Sequence, residues 1–190
     1  MTVSADTSTP RVVLVTGALS SAADAASIGR ALATGFARRG WDVALQRSHG
    51  APRAAADALV AEVAALGRRA AVLDADLALE ANAAALVAAR EHEALRACAI
   101  HVLDQALFHP APAQLSHALM QAALNRATSA LALALAPKVR VAALVRGHAP
   151  HADDIAAAAC YLASAPGVTG ATLTVDGGEH LVPPAAGPNE

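Results

Sequence analysis

The sequence predicts an α/β fold built on a doubly wound parallel sheet. Three features indicate this class: short apolar runs rich in Val and Leu, stretches with helical spacing between them, and connections of only a few residues. An uninterrupted apolar run is typical of a strand that is buried on both faces of a parallel sheet. Strands that alternate with helices across short connections are joined by right-handed crossovers.

The elements follow from the apolar spacing and from the residues that end each stretch. The first strand ends at Gly17 and the first helix ends at Gly40, a favoured residue after a helix C-terminus. Asp153 or Asp154 is expected to cap the last helix. The strands are predicted at 11–16, 41–45, 70–73, 99–103, 139–145 and 172–175, and the helices at 28–39, 54–66, 80–96, 116–136 and from the capping aspartate to 163.

Length and composition predict one domain with an unusual core. With 190 residues the chain can bury one sizeable core, which we expect at 11–182, between a flexible N-terminus at 1–10 and a disordered tail at 183–190. The sequence is 55% hydrophobic but only 2% aromatic. Alanine buries little area per residue, so the core should consist of closely packed helices and Val/Leu strands.

Charge and cysteine usage exclude several classes of function. The net charge of −2 with interspersed signs offers no basic surface for nucleic acid. Charges interrupt the alanine-rich stretches, so we expect no membrane span, and the polar N-terminus shows no secretory signal. We therefore expect a cytoplasmic protein in which Cys98 and Cys160 are buried thiols.

One cluster could be interpreted as a metal site. His148 and His151 precede Asp153 and Asp154 within a short loop, but the spacing matches no recognised ligand pattern. We expect no metal there. The remaining histidines are scattered along the chain and suggest no site.

Four segments together carry a family resemblance. They are 12–44 with the motifs TGA and IGRALA, 75–77 (ADL), 122–141, and 154–178 ending in VDGG. In this order, and over most of the chain, they resemble the short-chain dehydrogenase/reductase (SDR) family, more narrowly its pteridine-reductase branch. The resemblance implies a Rossmann-like fold and an NADP(H)-dependent oxidoreductase, although a fold alone does not establish a function.

The resemblance also implies a dinucleotide site. A glycine turn between strand and helix allows backbone N–H groups to approach a pyrophosphate. The stretch 19–27 is longer than the family's gap and contains Asp24 without any cation, so we expect weak NADP(H) binding or glycines that serve packing alone. Arg47, where the branch meets a 2′-phosphate, favours NADP(H) over NAD(H). The implied cofactor-binding residues are Thr16, Gly17, Ile28, Gly29, Arg47, Ser48, Asp76 and Leu77.

The implied catalytic set is altered at two of three positions. Asp104 follows the fourth predicted strand and matches the branch's aspartate. His117, thirteen positions later, stands where the family has its tyrosine, and Gln121 stands where it has its lysine. A phenol titrates near 10 and needs the nearby lysine charge to work near neutral pH, whereas histidine titrates at about 6.5 without such help. Gln121 supplies no charge.

Other parts of the family pattern are missing. Only 28 positions separate Asp76 from Asp104, and this interval already holds one predicted helix and one strand. A strand, crossover helix and strand take about 30 residues or more, so we infer that one central strand and one helix are absent. The Pro-Gly that precedes the family's substrate loop is replaced by Arg146-Gly147, and that loop is reduced to a few residues.

Three interpretations stay open. The first is a degenerate SDR-like protein with lost or greatly reduced activity and a binding or subunit role, paired with an intact paralogue or with itself to cover the exposed sheet edges. The second is an active NADPH-dependent reductase of a pteridine or another carbonyl substrate, with unusual catalytic residues. The third is a decayed gene product without function.

Overall fold

A computed structural model describes residues 11–19, 23–47, 52–74, 97–148 and 151–182. The chain divides into two compact units, Met1–Arg90 and Glu91–Glu190. Both contain parallel strands that alternate with helices, so the predicted α/β Rossmann-like fold is confirmed. The expected N-terminus at 1–10, the tail at 183–190 and the helix at 80–96 lie outside the described residues.

The described residues of the first unit form a three-stranded parallel sheet with two helices. Its sheet has the order β1-β2-β3, and its core includes the fully buried Ala33, Leu45, Ala56 and Val63. Two of these four are alanines, which lets the helices lie close to the sheet, as the composition predicted. The elements are β1 (Val12–Leu19), α1 (Ala23–Arg38), β2 (Asp42–Arg47), α2 (Arg53–Ala65) and β3 (Ala70–Asp74).

The start of this unit differs from the prediction. β1 does not end at Gly17 but continues to Leu19, and α1 begins at Ala23, five residues before the predicted start at Ile28. Alanine is the strongest helix former, so the alanine-rich stretch ahead of Ile28 extends the helix. The predicted end of this helix is confirmed within one residue, because Gly40 adopts a left-handed φ of 83° and closes the turn.

In the second unit, too, the residues that the structure describes form a three-stranded parallel sheet with two helices. Its sheet has the order β4-β5-β6, and the central strand β5 buries every residue from 141 to 145. Three 3₁₀ turns follow strand ends or precede a helix, at Gln105–Leu107, Pro112–Gln114 and Glu179–Leu181. The elements are β4 (Ala97–Leu103), α3 (Leu115–Leu135), β5 (Val139–Arg146), α4 (Ala152–Ser164) and β6 (Thr172–Val175).

The capping prediction for α4 was wrong. The helix begins at Ala152, its N-cap residue is His151, and no side chain there accepts a capping hydrogen bond. Asp153 and Asp154 therefore lie within the first turn. There they complement the positive end of the helix dipole without capping the helix.

Over the described ranges, β1 has β2 as its one hydrogen-bonded neighbour within the first sheet, and β4 has β5 within the second. The interval 76–104, from which the loss of a central strand and a helix is inferred, lies mostly outside the described residues. Among the residues that the structure describes, no helix is long and apolar enough to cross a membrane.

Arg140 holds the end of α4 against the second sheet. It projects from β5, and its guanidinium donates hydrogen bonds of 2.7–3.1 Å to the carbonyl oxygens of Leu162, Ala163, Ala165 and Val168. The last carbonyls of a helix have no partner within the helix. One side chain thus satisfies several of them and carries a positive charge to the negative end of the helix dipole.

Replacing Arg140 by Met should lower the free energy of unfolding by about 2–4 kcal/mol, because partly buried carbonyls lose a charged donor. Urea denaturation measures the change. Arg126→Met, on the exposed side of α3, is the matched control and should change the free energy by less than about 0.5 kcal/mol. Equal effects of the two substitutions would contradict the capping role.

His101 is a partly buried histidine in the second unit. Its Nδ1 lies 2.9 Å from the Thr128 hydroxyl, whose own hydrogen is donated to the Leu124 carbonyl. Nδ1–H is therefore the donor. Burial lowers the pKa of His101 below its ordinary value of 6.5, so the folded protein keeps this ring neutral.

Stability should therefore decline as the pH falls below 6.5, since the unfolded chain takes up a proton that the folded chain refuses. His101→Asn keeps a donor for Thr128 but cannot titrate. The difference in denaturation midpoint between pH 7.5 and pH 5.5 should be smaller in this variant than in the wild type. An unchanged difference would show that other groups cause the acid sensitivity.

Candidate functional site

The carboxyl ends of β4, β5 and β6 bring several histidines and carboxylates to one edge of the second sheet. The three strands are parallel, so Asp104, Gly147 and Asp176, which directly follow them, lie at the same edge. Open α/β sheets bind ligands at this edge. It is the candidate site of the second unit.

Asp104 and His117 form a hydrogen-bonded pair. Asp104 starts the 3₁₀ turn after β4, and its Oδ1 accepts a 3.0 Å hydrogen bond from the backbone N–H of Ala106. Its Oδ2 lies 2.8 Å from Nε2 of His117, which stands in the first turn of α3. Both side chains are partly exposed. The structure thus brings together Asp104 and His117, which the sequence predicted to belong to one catalytic set.

The direction of this hydrogen bond determines the state of the ring. A carboxylate can only accept, so Nε2 of His117 carries the hydrogen and the neutral ring keeps its lone pair on Nδ1. A carboxylate that orients an imidazole in this way also stabilises the imidazolium form. The pair therefore has the composition of a general acid or base.

Gln121 lies one turn further along α3 and is buried. Its Oε1 accepts a 3.3 Å hydrogen bond from the backbone N–H of Asp104. Its Nε2 lies 3.5 Å from Nε2 of His117, but both nitrogens carry hydrogen, so this is a packing contact. Gln121 thus supports the strand end, and within the described ranges no ion pair joins Asp104 or His117 to a lysine or arginine.

Asp176 and His180 form a second pair, which the sequence analysis missed. The Asp176 carboxylate is buried and accepts hydrogen bonds of 2.8–2.9 Å from the backbone N–H groups of Gly178 and His180, from Nδ1 of His180 and from Nε2 of Gln105. Burial alone would raise the pKa of Asp176, but these donors outweigh it and lower the pKa to about 2. The spacing of aspartate and histidine four residues apart, after the last strand, was the available signal.

A third pair closes the loop after β5. Both Nδ1 and the backbone N–H of His148 contact the Glu179 carboxylate, and the side-chain hydrogen bond lowers the pKa of Glu179. Gly147 makes room for this contact, because a Cβ at this position would lie 2.5 Å from Oε2 of Glu179 and 3.0 Å from Cβ of Asp176, so the Glu179 side chain would have to move. His148 therefore pairs with the turn after β6 and not with Asp153 or Asp154. In the ranges described, no three potential ligands converge on one point.

The predicted cofactor residues of the first unit are placed differently from the expected glycine turn. Thr16 and Gly17 lie within β1, and Ile28 and Gly29 lie in the second turn of α1. Only the first four N–H groups of a helix are free of partners within it. The amide of Gly29, the seventh helical residue, is beyond them. This placement fits the packing role of the glycine better than contact with a pyrophosphate.

Arg47 at the end of β2 is joined to the neighbouring strand. Its Nε donates a 2.6 Å hydrogen bond to Oδ1 of Asp74 at the end of β3, and this bond raises the pKa of Arg47. The sequence did not predict that Asp74 would lie at the expected cofactor site. A carboxylate here partly neutralises the charge that would attract a 2′-phosphate. Ser48, Asp76 and Leu77 lie outside the described residues.

Comparisons with solved structures show the same fold in several oxidoreductases. A Burkholderia xenovorans protein assigned to the short-chain dehydrogenases/reductases is 22% identical, with a TM-score of 0.78 over 92% of this chain and 100% of the other. The alternative dihydrofolate reductase 1 of Brucella canis, solved with NADP, is 21% identical, with a TM-score of 0.78 over 95% and 98%. Acetoin dehydrogenase of Enterobacter cloacae is 19% identical, with a TM-score of 0.78 over 96% and 100%.

Sequence comparison identifies the family. No curated protein matches at a significant level. The model of the SDR-like family, described as short chain dehydrogenase-like protein, matches residues 73–175, which is more than half of the chain. The match includes β4, α3 and β5 and therefore the Asp104–His117 pair. On this match, and on a fold shared with structures that cover nearly all of its length, the chain belongs to the SDR-like family of short chain dehydrogenase-like proteins.

Proposed function

We propose that this chain is a degenerate member of its family, with lost or greatly reduced NADP(H)-dependent oxidoreductase activity and a binding or subunit role. The observation that carries the proposal is Gln121. It occupies the position of the family's lysine, it is buried, and its oxygen is engaged by the backbone of Asp104. A neutral amide in this state cannot supply the activating charge that lysine supplies in the related enzymes.

The dinucleotide site supports the same conclusion. Gly29 lies inside α1, so its amide is not available to a pyrophosphate, and the Arg47 charge is shared with Asp74. Glycine and arginine are residue types that suit a dinucleotide with a 2′-phosphate, but their arrangement in this structure does not suit it. We therefore propose weak binding that favours NADPH, and no metal.

The binding role is supported by the surface of α3. Leu119 is 62% exposed, Met120 is 51% exposed and Leu133 is 85% exposed. Apolar side chains on one helix favour a protein partner over solvent. An intact paralogue of the same family or a second copy of this chain is the proposed partner.

A second candidate function is favoured by the Asp104–His117 hydrogen bond. An imidazole held by a carboxylate can donate a proton without a neighbouring lysine, so this pair could protonate a carbonyl oxygen during reduction. The substrate would be a pteridine or another carbonyl compound. Two Brucella proteins similar in fold are alternative dihydrofolate reductases in complex with NADP, which supports the pteridine branch for this candidate.

Titration with NADPH and NADH tests the binding proposal. At a ligand concentration equal to the dissociation constant, stabilisation is only about 0.4 kcal/mol, so weak binding gives a small shift in thermal unfolding. Asp74→Asn removes the competing charge and should strengthen NADPH binding several-fold while NADH binding changes little. Arg47→Ala should abolish the preference for NADPH. A sub-micromolar affinity of the wild type for NADH would contradict the proposal.

Reductase assays test the loss of catalysis. NADPH oxidation with dihydrobiopterin, quinones and aldehydes should be negligible for the wild type and for the double variant His117→Tyr/Gln121→Lys. The double variant restores the acid and its activating charge, together worth about 10²–10⁴-fold, but not the positioning of reactants, which can be worth as much or more.

Each other outcome of these assays has a defined meaning. Wild-type turnover that Asp104→Ala or His117→Ala abolishes would replace the proposal with the second candidate. Turnover that appears only in the double variant would show that the rest of the site is intact. A chain that does not unfold cooperatively and binds neither cofactor nor partner would indicate a decayed gene product.

A further inference from the structure

Gln105 connects the ends of all three strands of the second sheet. It is the first residue of the 3₁₀ turn after β4, and only 2% of its surface is exposed. Its Nε2 donates a 2.9 Å hydrogen bond to Oδ2 of Asp176, after β6, and a 3.2 Å hydrogen bond to the carbonyl of Arg146, at the end of β5. One buried amide thus uses both of its N–H donors to hold three strand ends together.

The turn that Gln105 anchors contacts both imidazole–carboxylate pairs. Asp104 precedes Gln105 and holds His117, while the Phe108 ring at the end of the turn packs on the His180 ring with 5.2 Å between centroids. A displacement of the turn would therefore change the position of Asp104 and the support of His180 together.

The orientation of the Gln105 amide is determined by its surroundings. Its Oε1 is buried and, within the described ranges, has no hydrogen-bond donor. Turning the amide over would place that oxygen against the Asp176 carboxylate, where two acceptors repel each other. The orientation seen, with both N–H groups donated and the oxygen without a donor, is therefore the more favourable of the two.

We propose that Gln105 is a positioning residue that holds both the Asp104–His117 pair and the Asp176–His180 pair in their hydrogen-bonded arrangements. A role of Gln105 in catalysis rests on the second candidate function, in which Asp104 and His117 transfer the proton. The experiment that tests the positioning role does not rest on that function, because the orientation of the histidine rings can be measured whether or not the protein reduces a substrate.

The hydrogen bonds predict a spectroscopic signature. Nε2 of His117 faces a carboxylate, so its neutral ring carries the hydrogen on Nε2. Nδ1 of His180 faces a carboxylate, so its neutral ring carries the hydrogen on Nδ1. The two rings are thus expected in opposite tautomers, which ¹⁵N NMR of histidine side chains distinguishes at pH 8.

Gln105→Met tests the anchor, because methionine keeps the length and volume of glutamine but donates no hydrogen bond. We expect the His117 and His180 signals to move together toward mixtures of tautomers. Thr128→Val is the matched control: it removes a buried hydrogen bond from α3, the helix that carries His117, and should change His101 alone. Unchanged His117 and His180 tautomers in Gln105→Met, or equal changes in Thr128→Val, would overturn the proposal.

The wild type provides a second test that does not depend on a folded variant. The Gln105 side-chain amide should exchange its hydrogens slowly with solvent, and the two histidines should show opposite tautomers. Fast exchange, or the same tautomer in both rings, would overturn the proposal even if Gln105→Met failed to fold.

Discussion

The buried carboxylate of Asp176 is the interaction on which the carboxyl edge of the second sheet depends. Four hydrogen bonds converge on it, two from backbone N–H groups and two from the side chains of His180 and Gln105. Because those donors outweigh the cost of burial, the group stays ionised at any pH near neutrality. The turn after β6 folds around this charge, and Gly147 leaves the space that the turn requires.

The arrangement of the candidate site depends on the charge of Asp176 through a series of hydrogen bonds. Asp176 holds Gln105, Gln105 holds the turn after β4, and the turn holds Asp104 beside His117. Each carboxylate at this edge is paired with an imidazole and none with a lysine or arginine in the described ranges. The guanidinium of Arg146, at the end of β5, lies at the same edge and donates a hydrogen bond to the Gly147 carbonyl, so it forms no ion pair with these carboxylates in the described ranges.

The alanine-rich composition shapes the rest of the molecule. Both sheets are narrow, and their helices contribute mainly alanine to the core, so each buried residue removes little area from water. Hydrogen bonds made by polar side chains therefore contribute a larger share of the stability than they would beside a core of large side chains. Arg140 at the end of α4 and His101 against Thr128 each join a helix to the second sheet through directed hydrogen bonds.

The sequence by itself determined the fold class and most of the elements, because helices and strands follow from local apolar spacing and from residues such as Gly40. The resemblance of the segment around α3 to the family also placed Asp104, His117 and Gln121 in register, and the structure brings the three side chains close together. Local propensity was misjudged at the start of α1, where alanines extend the helix beyond Ile28. Only the tertiary structure decided the pairs Asp176–Gln105 and Arg47–Asp74, which join residues 71 and 27 positions apart. No local pattern encodes such contacts, because they depend on which strand ends the fold brings to the same edge of a sheet.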